Sequence, residues 1–322
     1  MPRPTSATAA LRPELGVIAY EYMLEAAQRG FIGLQVLPLM EVPLQSSYYP
    51  YIPIESLLKM PDTKRAARGN YNRSDWEFGT KNFSCKENGW EELIDDNERA
   101  LFSRFFDAEV VATQRAVDIV LRAQEKRIAD AVMSTGNITA TSNVGTEWST
   151  VATCTPYADI KTAKAAMRAA SGLLPNAVIM TWVAAENVLA STELRNKLQY
   201  TTPIEFMSDQ QKYQVLANYF GVGRCLVGNG IYDSAKKGKT KTLTDIWDDE
   251  YVLLAVLSSG GQDLKEPCLG RTFLWTGDSP SNVVTETYRD EPKRSDVVRV
   301  RHDTDEAFVF AGAGYLLGNI TA

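Results

Sequence analysis

One stretch, from Phe105 to Met133, constrains this chain more than any other. Phe106, Val110, Val117, Leu121, Ile128 and Val132 are spaced 4, 7, 4, 7 and 4 residues apart. At about 100° per residue these six side chains stay within about 40° of one line, the signature of an amphipathic helix. Arg115, Asp118, Arg122 and Lys126 fall on another side, with Asp118 and Arg122 at ion-pair spacing. Ala112, Ala116 and Ala123 form a strip small enough for close approach by a neighbour. A helix of this length is a rod of about 43 Å, longer than a compact domain needs. Gln114 and Gln124 interrupt its apolar stripe, which argues against an extended coiled coil.

The segments around the rod predict a mixed α+β chain without regular strand–helix–strand alternation. Residues 1–35 read as an arm, broken by Pro2, Pro4 and Pro13, with a short helix over Ile18–Gln28 stopped by Gly30. From Val36 to Ile54 four prolines confine any strand to an edge. A second strand-like run returns from Trp76 to Trp90, and Lys59–Arg73 between them is a polar, basic tip. Such a two-stranded excursion is marginal alone and makes sense if another chain covers its edges. Downstream, helices are expected over Tyr157–Ala170 and Ser208–Phe220, with Gly172 and Gly221 as stops. One or two short helices fit Glu186–Leu198. Buried strands fit Asn176–Val183, Cys225–Val227 and Tyr251–Leu257. The end is strand-rich, at Val283–Tyr288, Val297–Arg301 and Ala307–Leu317.

Signals for chemistry are sparse among the 322 residues. The single histidine, His302, sits beside Arg301, Asp303 and Asp305 and reads as an exposed turn residue, without nucleophile spacing around it. The glycines from Gly221 to Gly230 lack a phosphate-loop ending and follow a helix, so helix stop, strand and turn explain them. Cys85, Cys154, Cys225 and Cys268 are widely spaced, without a zinc pattern, and are expected as buried free thiols. Two acidic clusters, Glu91–Glu98 and Asp248–Glu250, read as solvated or partner-facing surface rather than acid–base pairs. The net charge of −6 argues against tight nucleic-acid binding. No stretch is apolar enough for a signal peptide or a membrane helix, so a soluble chain made in the cytoplasm is expected. A soluble hydrolase or nucleotide-binding enzyme built on an acidic cluster or on those glycines is the alternative from another class.

Taken in order, these passages resemble the major capsid proteins of tailed bacteriophages, with the Hong Kong 97-like fold, and more closely the lambda-type branch. The resemblance is carried by Gly30-Phe31-Ile32-Gly33-Leu34 up to Leu37-Pro38, and by Phe106-Asp107-Ala108-Glu109-Val110 opening the rod. It continues in Trp148 followed by Pro156-Tyr157-Ala158-Asp159-Ile160, in Gly172-Leu173-Leu174-Pro175-Asn176, and in Tyr288-Arg289-Asp290-Glu291 with Ala313-Gly314-Tyr315-Leu316. Order and spacing carry it; no one motif is specific. It implies an N-terminal arm (1–39), an extended β-hairpin loop (40–85), a peripheral domain with a spine helix at about 105–133 (86–156), an axial domain (157–270) and C-terminal strands returning to the peripheral domain (271–322).

The resemblance further implies a virion protein, assembled in the bacterial host cytoplasm, without cofactor or enzyme activity. Its copies would form hexamers and pentamers of an icosahedral head around DNA, contacted weakly on the inner face. Scaffolding protein and portal are the other partners implied, with a decoration protein left open, and the scaffold is expected as a separate protein or as a segment removed before the ordered chain. An encapsulin-like compartment would share the architecture. The sequence adds one contact to this picture. The basic tip residues Lys59, Lys64, Arg65, Arg68 and Arg73 are expected to meet acidic surface on another copy, at Glu91, Glu92, Asp95, Asp96 and Glu98.

Overall fold

The computed structural model describes residues 10–11 and 30–321, apart from 66, 74, 76–77, 103–106, 199–206, 237, 262–263 and 265. The short helix expected at Ile18–Gln28 and the start of the rod at Phe105–Phe106 lie outside the described residues.

The rod is a continuous helix over Ala108–Val132, about 37 Å long. Asp107 starts it by accepting a hydrogen bond from the Glu109 N–H at 3.0 Å, which satisfies one of the free first-turn donors. Val117, Leu121, Ile128 and Val132 of the expected apolar line are buried. The line serves two different partners. Ala116, Val117, Val120 and Leu121 pack with Val300 of one sheet and with Val283 just before one of its strands. Ile128, Ala129, Val132 and Met133 pack with Ile179, Leu253 and Leu316 of another. Of the alanine strip, Ala116 is buried and Ala123 is exposed. The rod's length is therefore used to bridge two sheets.

The first sheet is built on Ser295–Phe308. Lys86–Asp95 pairs along one edge, from Ser295 opposite Asp95 to Thr304 opposite Lys86. On the other edge two strands follow end to end: Val284–Asp290 covers residues 295–301 and Gly270–Trp275 covers 304–308. Leu39–Val42 adds in parallel beside Gly270–Trp275, and Ala10–Leu11 beside Val284–Asp290. The two short C-terminal strands expected at 297–301 and 307–317 are thus redrawn. The first is part of a 14-residue strand running through His302 to Phe308. The second begins only at Gly314 and belongs to the other sheet. The charged run Arg301–Asp305 hides this continuity, because its side chains are satisfied by partners rather than by water.

The second sheet has the order Thr141–Asn143, Gly314–Gly318, Val252–Ala255, Ala177–Thr181, Arg224–Gly228. Its three inner strands are buried on both faces, as befits a sheet covered on both sides, while Thr141–Asn143 is a polar, exposed edge. Val178, Met180, Val252, Leu254 and Leu317 face the helices Pro156–Ser171, Trp182–Ala190, Thr192–Leu198 and Asp209–Phe220. Their neighbours in sequence, Ala177, Ile179, Leu253, Ala255 and Leu316, face the end of the rod. The period of two sorts one strand between two cores. Gly172 and Gly221 end their helices in the left-handed region, at φ 73° and 61°. Ser208 and Gln211 form a reciprocal capping box. Trp148 is fully buried and donates to Asp159 at 3.0 Å, tying the connector to the helix it precedes.

The excursion is an antiparallel hairpin, Ser46–Tyr51 against Gly79–Ser84. The strand-like run expected to reach Trp90 divides at Cys85: residues before it belong to the hairpin, residues after it to the first sheet. The hairpin's root is not isolated. Phe83 stacks on Phe273 with centroids 4.6 Å apart, beside Tyr49, Val42 and Cys85. Lys81 donates to the carbonyls of Phe308 and Val309 at 3.1 and 2.7 Å.

Candidate assembly surfaces

Beyond Tyr51 and Gly79 the hairpin opens into a surface that the protein does not cover itself. Ile52, Leu58, Met60, Tyr71 and Phe78 are all exposed there, Met60 to 98%, and Tyr48 on the hairpin strand itself is exposed to 79%. Exposed apolar side chains concentrated on one projection mark a contact surface. The five basic residues Lys59, Lys64, Arg65, Arg68 and Arg73 lie on the same projection, and all are exposed. Local contacts shape it: the Arg65 guanidinium lies 4.8 Å over the Tyr71 ring, and Asp62 accepts from the Lys64 N–H at 2.9 Å. Arg68 takes a left-handed backbone at φ 64°.

The acidic residues expected to receive this tip are on the first sheet and the short helix after it, and several already have partners in their own chain. Glu91 accepts from Arg299 at 2.8 Å, and Glu92 pairs with Arg115 of the long helix at 3.2 Å. Asp96 receives both Arg289 nitrogens at 2.7 Å, which holds its carboxyl below the usual range. Asp95 accepts from the Asn97 N–H at 2.8 Å, and Glu98 is exposed. Two features of this region escape a reading by charge. Trp90, Leu93, Leu101 and Val111 expose apolar surface here. Among the described residues, Lys86–Asp95 has a strand on one edge only.

The other candidates for chemistry are engaged in structure. His302 is buried in the centre of Ser295–Phe308 rather than exposed in a turn. Arg127 reaches across from the long helix and its Nη2 lies 3.1 Å from His302 Nε2. Burial first, then the Arg127 charge, lowers the imidazole to about 4, so it is neutral and accepts this bond. Arg301 is buried among Glu286, Asp278 and Asp303 at 2.9, 2.7 and 3.3 Å, and Ser279 donates to Asp303 at 2.6 Å. In the second acidic cluster, Glu250 accepts from the Asn319 N–H at 3.0 Å and anchors the chain's last residues. The glycines from Gly221 to Gly230 form a helix cap, the strand Arg224–Gly228 and a turn. All four cysteines are buried and free. Among the described residues no cluster of ligating side chains could hold a metal, and no helix is long and apolar enough to cross a membrane.

No protein-family model matches the chain. It is 29% identical over 300 residues to the major capsid protein of Burkholderia phage BcepMu, covering 90% of this chain and 91% of that protein. A phage-related protein from Bordetella bronchiseptica has the same fold, with a TM-score of 0.70 at 20% identity over 97% of this chain and 98% of the other. The virus-like particle of Pyrococcus furiosus matches with a TM-score of 0.56 at 14% identity, over 93% and 98% of the two chains. Two sheets bridged by one long helix, with a hairpin projecting from the first, are thus a shared architecture: the chain has the Hong Kong 97-like fold of phage capsid proteins.

Proposed function

We infer that this chain is the major capsid protein of a phage, a structural subunit that assembles with copies of itself into the head shell. The observation that carries this is the similarity to the BcepMu major capsid protein, which spans 90% of this chain and 91% of that one. In this reading the first sheet with the long helix is the peripheral domain, and the second sheet with its helices is the axial domain. Hexamers and pentamers of this tile close an icosahedral head in the virion, formed in the host cytoplasm around scaffold and portal, with DNA inside. The projecting hairpin supplies apolar and basic surface to a neighbouring copy. Its tip meets the 86–98 region there, where Glu98 and the exposed Trp90 and Leu93 complement it in charge and character.

Electron microscopy of the expressed protein, alone and with a scaffolding protein, tests the reading. Closed shells of uniform size are expected. A persistent monomer or dimer under all conditions, with turnover of a substrate, would overturn it. Shells filled with one protein cargo, in place of a genome, would turn it into the related encapsulin-like compartment.

A further inference from the structure

Glu125 lies midway between the two apolar patches of the long helix and is 4% exposed. Its carboxylate accepts three hydrogen bonds, each 2.8 Å long. The Ile32 N–H donates to Oε1, the Gly33 N–H to Oε2, and the Trp247 indole N–H to Oε1. The three donors come from separate parts of the chain. Ile32 and Gly33 begin the short helix Gly33–Val36 at the root of the arm, whose first N–H groups have no helical acceptor. Trp247 is fully buried against the second sheet, where a Cβ on Gly228 would come within 2.4 Å of its ring. The same junction is closed by the Asn229 N–H donating to the Gly30 carbonyl at 3.2 Å. Burial pushes the carboxyl upward, and the three donors hold it as an acceptor.

We propose that Glu125 is a coupling device. Through this one carboxylate the arm's root and the Trp247 segment hold or move together against the long helix. Both donor sets bond to the same carboxylate, two of the three bonds to the same oxygen. A Cβ at Gly33 would lie 2.5 Å from Glu125 Oε2 and 2.9 Å from Ile128 Cδ1, so displacement of the root pushes the carboxylate, and the carboxylate carries the indole. The coupling belongs to the single chain. Its use, letting an arm held by one neighbour bias the axial side facing another, rests on the capsid reading.

The test is hydrogen–deuterium exchange of the whole protein, comparing Gly33→Ala, Glu125→Gln and, as control, Gly145→Ala, where a Cβ meets nothing within 4 Å. Gly33→Ala is expected to speed exchange at residues 244–249 as well as at 30–37, by roughly 5- to 150-fold, the range of ordinary coupling between sites. Glu125→Gln places an amide donor against one of three donors and is expected to loosen both segments together. The helices Pro156–Ser171 and Asp209–Phe220 should stay at the wild-type rate in every variant. Faster exchange confined to 30–37 in Gly33→Ala would overturn the proposal. If that variant fails to fold, Glu125→Gln decides: loosening of one segment alone overturns it. Neither outcome depends on shells forming, so failure of the coupling is separate from failure of the capsid reading.

Discussion

Gln124 and Asn282 face each other in the interior through two reciprocal amide hydrogen bonds, each 3.2 Å long. The polar side chain that breaks the apolar stripe of the long helix is thus satisfied by the loop leading into Val284–Asp290. Truncating one partner leaves the other buried without a bond. Gln124→Leu is expected to cost about 1–3 kcal/mol in denaturant unfolding of the subunit. Gln124→Leu with Asn282→Leu should cost less than the sum of the two single changes. Strict additivity would show that the pair does not interact.

His302 makes stability depend on pH. The unfolded chain binds this proton near pH 6.5 and the folded chain only near 4. Between those values the unfolded state holds more protons, so stability is lost as pH falls from 6.5 towards 4. The full effect is on the order of 3 kcal/mol. Urea unfolding at pH 7 and pH 4.5 should show a loss that shrinks in His302→Asn. An equal loss in both proteins would remove His302 as its source.

Trp148 both fills the core of the second sheet and donates to Asp159. Trp148→Ala should cost about 3–5 kcal/mol. Trp148→Phe keeps most of the volume and removes the donor and a small part of the ring, for about 1–3 kcal/mol. Thermal unfolding of the two variants measures the difference. Equal losses would mean that the hydrogen bond, not the packing, dominates.

The hairpin tip is exposed and should matter to assembly alone. Arg65→Glu with Arg68→Glu is expected to leave the unfolding free energy of the free subunit within about 1 kcal/mol of wild type, about 0.5 for each surface change. Shell yield by sedimentation should fall. Normal particles from this double variant would refute tip docking. Glu98→Lys tests the receiving side, because Glu98 is exposed whereas Glu91, Glu92 and Asp96 already serve their own chain.

Regularity made much of this fold legible. The 4–7 spacing of apolar residues sets the long helix, because a helix must turn one line of side chains inward. Gly172, Gly221 and Ser208 mark helix ends through local backbone chemistry, so the boundaries near them can be read without tertiary information. The strands around Ile179, Leu226 and Leu253 show as short apolar runs for the same kind of reason. The order of these pieces was enough to suggest the capsid fold.

Partners distant in sequence decided the rest. His302 reads as exposed because its neighbours are charged, yet Arg127, Glu286 and Asp278 satisfy that charged run inside the protein. Glu91 and Asp96 read as free surface until Arg299 and Arg289 are brought to them by strand pairing. The spacing along the rod does not single out Glu125, and only folding places three donors from the arm and from Trp247 around it. Hydrophobic period is local and survives in the sequence. Whether a charge is buried depends on which partner arrives, and that is settled only when the chain closes.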